Sequence, residues 1–231
     1  MLNCLKTLSL KGKYIRLRAP IADMNEIINQ LYQTVMLAQK VLPFALEFIG
    51  ALYIIFILNK FSGNILSLLS VYPRKLISIP GIALYSYIHQ DFNHIFFNSI
   101  PLFILTILVL LSGLQTFVCV TLTVTLLSGL AIWLLGRRGF HLGASGLIMG
   151  YWSYLLMSAY RHTTVVSIAL AFICVYYFGS LLFHLIPQNV KTSWEAHVYG
   201  FFAGLIASYI CPSLFCEKLS GFCYQLHQIT I

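Results

Sequence analysis

From residue 43 onward the chain carries six long apolar segments, roughly 43–60, 92–112, 116–135, 145–160, 164–186 and 195–211. All but the fourth approach the span of about 17–25 residues with which a helix crosses hydrocarbon. The links between them are mostly very short, so the pattern predicts sequential, antiparallel, packed helices. The exception is 61–91, which is semi-polar and carries Pro73, Arg74, Pro80 and Gly81. It predicts a structured loop at or in the membrane interface.

Residues 19–42 are patterned differently. Asp23 with Glu26 three positions on resembles a capping box. Met24, Ile27, Ile28, Leu31, Val35 and Leu42 then recur at helical spacing against Asn29, Gln30, Gln33 and Lys40. This predicts an amphipathic helix on the membrane surface, or equally a helix of a small soluble cap. The chain divides into a basic and amphipathic segment (1–42), a six-helix core (43–211) and a tail (212–231).

Composition sharpens the class. The chain is 59% apolar and 9% charged, with a mean hydropathy of +0.86, whereas soluble domains carry about a quarter charged residues. A water-exposed surface cannot be built from this set, which makes the chain an all-α integral membrane protein. The net charge of +8 suits anionic lipid head groups rather than nucleic acid. Residues 1–10 hold only a short apolar patch, with Lys11, Lys13, Arg16 and Arg18 after it, the reverse of a signal peptide's order. With the N-terminus inside, Lys6, Lys11, Lys13, Arg16, Arg18, Lys40, Arg161 and Lys218 lie inside and Lys60, Arg74, Lys75, Arg137, Arg138 and Lys191 outside. That bias favours N-in and C-in. Six cysteines (4, 119, 174, 211, 216 and 223) form no CxxC pair, so no disulfide framework is expected, and neither a metal nor a cofactor.

Polar side chains are costly in hydrocarbon and mark candidate sites. His89, His94 and Asn98 enter the second segment, and His94 and Asn98, four apart, share a helical face. A ring N–H and a carboxamide aimed the same way can bind an oxyanion, or simply hydrogen-bond a neighbouring helix. Gly143-Ala144-Ser145-Gly146 opens the fourth segment, whose length to Tyr160 makes about 24 Å of helix. That falls short of about 30 Å of hydrocarbon, so the loop 137–144 must dip in to reach the serine, and backbone at that depth needs burial or water. His141 lines that loop or lies at the surface. In the sixth segment Ala196, Gly200 and Gly204 make a small-residue face for close helix approach, and His197 lies beside it. A partner helix at Gly143–Gly146 would bring His197 to Ser145.

Together these clusters resemble the rhomboid intramembrane serine proteases over residues 43–211. The shared pattern is His89, His94 and Asn98, then Gly143-x-Ser145-Gly146, then Ala196-His197-x-x-Gly200-x-x-x-Gly204. The resemblance implies a six-span bundle, with Ser145 as nucleophile and His197 as general base. His94, Asn98 and the Ser145 backbone N–H would form an oxyanion hole. It implies a lateral gate at the fifth span, near Phe178 and Phe183, and a membrane-embedded loop 61–91. Where the family often has a tyrosine stacked on the catalytic histidine, this chain has Met149, which leaves open what orients the imidazole. The substrates would be transmembrane proteins, in a bacterial cytoplasmic membrane. A non-proteolytic relative that escorts membrane helices is an alternative, as is a transporter relaying protons through His89, His94 and His197. Glu47 and Glu195 lie near segment ends, so no span has a central acid to support the last.

Overall fold

The computed structural model describes residues 9–10, 13–14, 24–161, 165–179 and 194–211. Two short strands, β1 (Ser9–Leu10) and β2 (Lys13–Tyr14), pair antiparallel; the other regular elements described are helical.

Helix α1 runs unbroken from Met24 to Phe61 with Pro43 inside it. The sequence pattern divides this stretch into a surface helix and a first span, whereas the two are one helix of 38 residues. Pro43 removes a single backbone bond, and good helix formers on both sides, Leu37-Ala38-Gln39-Lys40 and Ala45-Leu46, carry the helix across it. Asp23, the expected cap, lies outside the described residues.

Residues 62–91 form a compact loop of three short 3₁₀ turns and a one-turn helix, α2 (Gly81–Leu84). The loop lies against protein on several sides. A Cβ on Gly81 would stand 2.5 Å from the Ser70 carbonyl oxygen, and one on Gly129 of α4 would overlap the backbone of Ile82. The buried Asn59 amide reaches Ser67 Oγ at 3.0 Å and the His89 carbonyl at 3.3 Å. These contacts bury part of the loop's irregular backbone against protein and give it hydrogen-bond partners.

The remaining helices are α3 (Phe92–Leu110), α4 (Leu114–Leu135), α5 (Ser145–Arg161), α6 (Val165–Phe178) and α7 (Trp194–Ile210). Of these, α3 and α4, together with α1, are long and apolar enough to cross a membrane; α5, α6 and α7 have 17, 14 and 17 residues. Bulky apolar side chains such as Phe97, Leu122, Phe172 and Phe202 face outward, the arrangement lipid contact favours.

Contacts between elements settle their directions. Asn59, near the end of α1, meets His89 just before α3. Ser153 and Arg161 of α5 bond the carbonyls of Phe201 and Ser208 in α7, in the same order along both helices. Helices α5 and α7 are therefore parallel, and the starts of α3, α5 and α7 share one end of the bundle with the ends of α1 and α4.

Cys119 of α4 and Cys211 beyond α7 form a disulfide, with Cα atoms 5.7 Å apart. This corrects the expectation of no disulfide. The partners are 92 residues apart, so only the antiparallel packing of α4 on α7 brings them together, and no local spacing could signal it. Cys174 is a buried free thiol.

Candidate active site

Asp91 caps α3: its carboxylate accepts the His94 backbone N–H at 2.8 Å, satisfying a donor that the first turn leaves open. The cap starts the helix sharply at Phe92, so His94 and Asn98 rise from it one turn apart, both half-buried. The ring of His94 lies on Gly143. A Cβ there would stand 2.5 Å from His94 Cε1 and 2.6 Å from Nε2, and Gly143 has a φ of +108°. Glycine is needed twice over at this position, for its backbone conformation and for the ring it admits.

The loop leading to Ser145 is held along its length. Glu195 receives the Arg137 backbone N–H at 3.3 Å and the guanidinium through both carboxylate oxygens. His141 pairs with Val71 through two backbone bonds of 3.1 and 2.8 Å, and its Nε2 lies 2.9 Å from the Arg137 carbonyl. Gly143 N–H donates to the Tyr85 carbonyl at 2.9 Å, and Ala144 N–H to His89 Nε2 at 3.3 Å. His141 is thus buried, contrary to a surface placement.

His89, fully buried, organises this region. Its Nε2 faces the Ala144 N–H, which can only donate, so that nitrogen must carry the lone pair. Asn98 Nδ2 lies 3.3 Å from the same atom, so Asn98 must present its NH₂ there, leaving a second N–H free to aim elsewhere. A backbone amide thereby sets the imidazole tautomer, which sets the carboxamide orientation. Burial, and then the neighbouring His94 charge, push the His89 pKa down to about 3. The unfolded imidazole titrates near the ordinary value of 6.5, so between that value and about 3 the unfolded chain binds the extra proton and stability rises with pH. The contribution is complete above the ordinary value and lost as pH falls through the window. His89→Gln should flatten this acid-side loss of thermal stability, as measured by melting in detergent at a series of pH values.

Helices α5 and α7 meet through glycine. A Cβ on Gly146 would stand 2.8 Å from the Tyr85 hydroxyl and 3.1 Å from the Ala196 carbonyl. Cβ atoms on Gly200 and Gly204 would overlap the backbone of Gly146 and of Gly150. Ser145 and His197 are the immediate chain neighbours of the touching pair Gly146 and Ala196, and both are half-buried. Met149 is buried in the main apolar cluster, as is Phe178 at the end of α6; Phe183 lies outside the described residues.

A family model described as Rhomboid domain matches residues 76–213. The chain belongs to the rhomboid family. Uncharacterized proteins from Mycobacterium tuberculosis and Mycobacterium bovis are each 31% identical over 174 residues, covering 71% of this chain and 72% of theirs. One from Mycobacterium leprae is 28% identical over 177 residues, covering 71% of this chain and 69% of its own. Rhomboid membership and the long apolar helices make this chain an integral membrane protein.

Tyr85, Ser128 and the Arg137–Glu195 pair also hold the site of this rhomboid chain. Tyr85 is fully buried and its hydroxyl lies 2.6 Å from Ser128 Oγ, so it roofs Gly146 from the loop side. Asp91, three residues before His94, carries an N-cap signal that could have been read. The others depend on contacts across 43 and 58 residues and leave no local mark.

Proposed function

We propose that this rhomboid protein is a serine endopeptidase cleaving peptide bonds in or near transmembrane segments of membrane proteins, with Ser145 as nucleophile and His197 as general base. The observation that carries the reading is the glycine-lined approach of α5 to α7, where Gly146 meets Ala196. A serine and a histidine, each next to that contact, are held at one level. His197 takes the hydroxyl proton as Ser145 attacks the carbonyl, then returns it to the leaving amine. His94, Asn98 and the Ser145 N–H receive the oxyanion. The His89–Ala144–Asn98 arrangement supports this role, since it turns a carboxamide N–H away from His89 and spares a donor.

In this reading six helices span a bacterial cytoplasmic membrane, with both termini inside and the site near the outer face. Loop 61–91 is embedded, the fifth span with Phe178 and Phe183 gates lateral entry of the substrate helix, and Met149 supports the His197 ring. A substrate helix must unwind locally, because its own turns shield its peptide bonds.

The test is labelling of detergent-solubilised protein by a fluorophosphonate, a reagent that captures activated serines. The expected result is one adduct at Ser145 in wild type and none in His197→Ala. An unlabelled but folded wild type would favour a helix-binding escort instead. His94→Ala and Asn98→Ala should each lower kcat for a transmembrane reporter by about 10²–10³, the usual cost of one oxyanion donor, with Ser145 still labelled. A change confined to KM would assign both side chains to packing.

A further inference from the structure

The α5–α7 seam is lined by small residues and tied by polar groups. Gly146, Gly150, Gly200 and Gly204 meet backbone to backbone, which gives the two helices close approach. Polar ties run along the seam. In its middle Ser153 Oγ donates to the Phe201 carbonyl at 2.7 Å, and at the far end Arg161 donates to the Ser208 carbonyl. At the end where Ser145 and His197 begin their helices, the tie is Arg137 with Glu195.

That tie has the geometry of a clamp. Arg137 Nε lies 2.5 Å from Glu195 Oε1 and Arg137 Nη2 3.1 Å from Oε2, and the Arg137 backbone N–H shares Oε1. The Glu195 side chain is 2% exposed while that of Arg137 is 48% exposed, so removing the arginine leaves a buried carboxylate without its main counter-charge. The guanidinium also lies over the Trp194 ring, 5.8 Å from its centroid. Arg137 opens the loop that ends at Ser145, and Glu195 stands two residues before His197. The loop's other anchors, at His141, Gly143 and Ala144, go to Val71, Tyr85 and His89. They fix the nucleophile against residues 61–91, whereas the Glu195 carboxylate reaches the loop from α7.

We infer that Arg137 and Glu195 are a positioning pair that sets the register of the general base against the nucleophile. Neither touches the reacting atoms. The pair holds the first turn of α7 to the nucleophile's loop, so that the rotation of α7 which carries the imidazole is fixed relative to Ser145. The inference rests on the Ser145–His197 assignment for its catalytic consequence and on the ion pair for its structural part.

Two measurements separate those parts. Hydrogen exchange on the full-length protein in detergent reads the tie without any chemistry. In Glu195→Gln, exchange in 137–144 and in the first turn of α7 should rise together, by about tenfold, as a local opening is made easier. Turnover of a transmembrane reporter per fluorophosphonate-reactive Ser145 reads the consequence. Glu195→Gln and Arg137→Lys should each lower kcat by about ten- to a hundredfold, the scale of a misplacement of about 1 Å, with KM within about twofold. Lysine keeps the charge but lacks the two-pronged fork. Exchanging the pair, Arg137→Glu with Glu195→Arg, should recover part of kcat. The inference is overturned if exchange rises in only one segment or in neither, if kcat per reactive serine is unchanged, or if the loss lies in KM. Should the exchanged pair not fold, the two conservative variants decide. Failure of wild type to label at Ser145 would remove the protease reading while the exchange result still decides whether the pair ties the two segments.

Discussion

Ser145→Ala and His197→Ala should each abolish cleavage of a transmembrane reporter, by about 10⁴–10⁶-fold, while the protein stays folded. A nucleophile and its base act as one unit, since the hydroxyl is a poor nucleophile without a proton acceptor and the acceptor has no role without the hydroxyl. The double variant should therefore be no worse than either single one. Neither residue is fully buried, and both lie beside the glycine seam rather than in it, so alanine at either position removes chemistry without opening a core cavity. Reporter cleavage in membranes, with the melting temperature of the same preparations, checks both halves. Full activity in either variant would sink the assignment of the dyad. Multiplicative losses would mean that the two side chains work separately.

Gly200→Val should be among the most damaging substitutions outside the site. Any Cβ at this position overlaps the Gly146 backbone, and backbone cannot swing aside as the end of a side chain can. Helices α5 and α7 must separate or tilt, at a cost of about 1–3 kcal/mol or more. They would do so at the level of Ser145 and His197, so activity per folded molecule should fall with stability. Gly50→Ala is the control. Nothing lies within 4 Å of the added carbon there, and alanine in a helix interior gains about 0.5–1 kcal/mol over glycine. Melting temperature and reporter turnover should fall together for Gly200→Val and hold or rise for Gly50→Ala. Equal behaviour of the two would show that the seam tolerates separation.

The periodicity of the chain determined where its helices lie. The apolar segments at 92–112, 116–135, 145–160 and 195–211 coincide with α3, α4, α5 and α7 to within two residues, because continuous burial in an apolar phase leaves a mark on every residue of a segment. The same local chemistry, histidine and asparagine one turn apart and small residues flanking a serine and a histidine, was enough to recognise the rhomboid family. Local signals failed at Pro43, where a residue that usually ends a helix is carried through one.

Tertiary structure alone decided how the clusters are held. The Cys119–Cys211 bond spans 92 residues and the Arg137–Glu195 pair 58. No period in the sequence links such positions, since each partner satisfies its own segment's pattern equally well with or without the other. Glu195 reads locally as an ordinary acidic residue at a helix start, and only the fold buries it against a loop that begins beyond α4. The neutral tautomer of His89 is of the same kind. It follows from the backbone amide of Ala144, 55 residues away, and an amide N–H is common to nearly every residue, so nothing in the letters of the chain could single that one out.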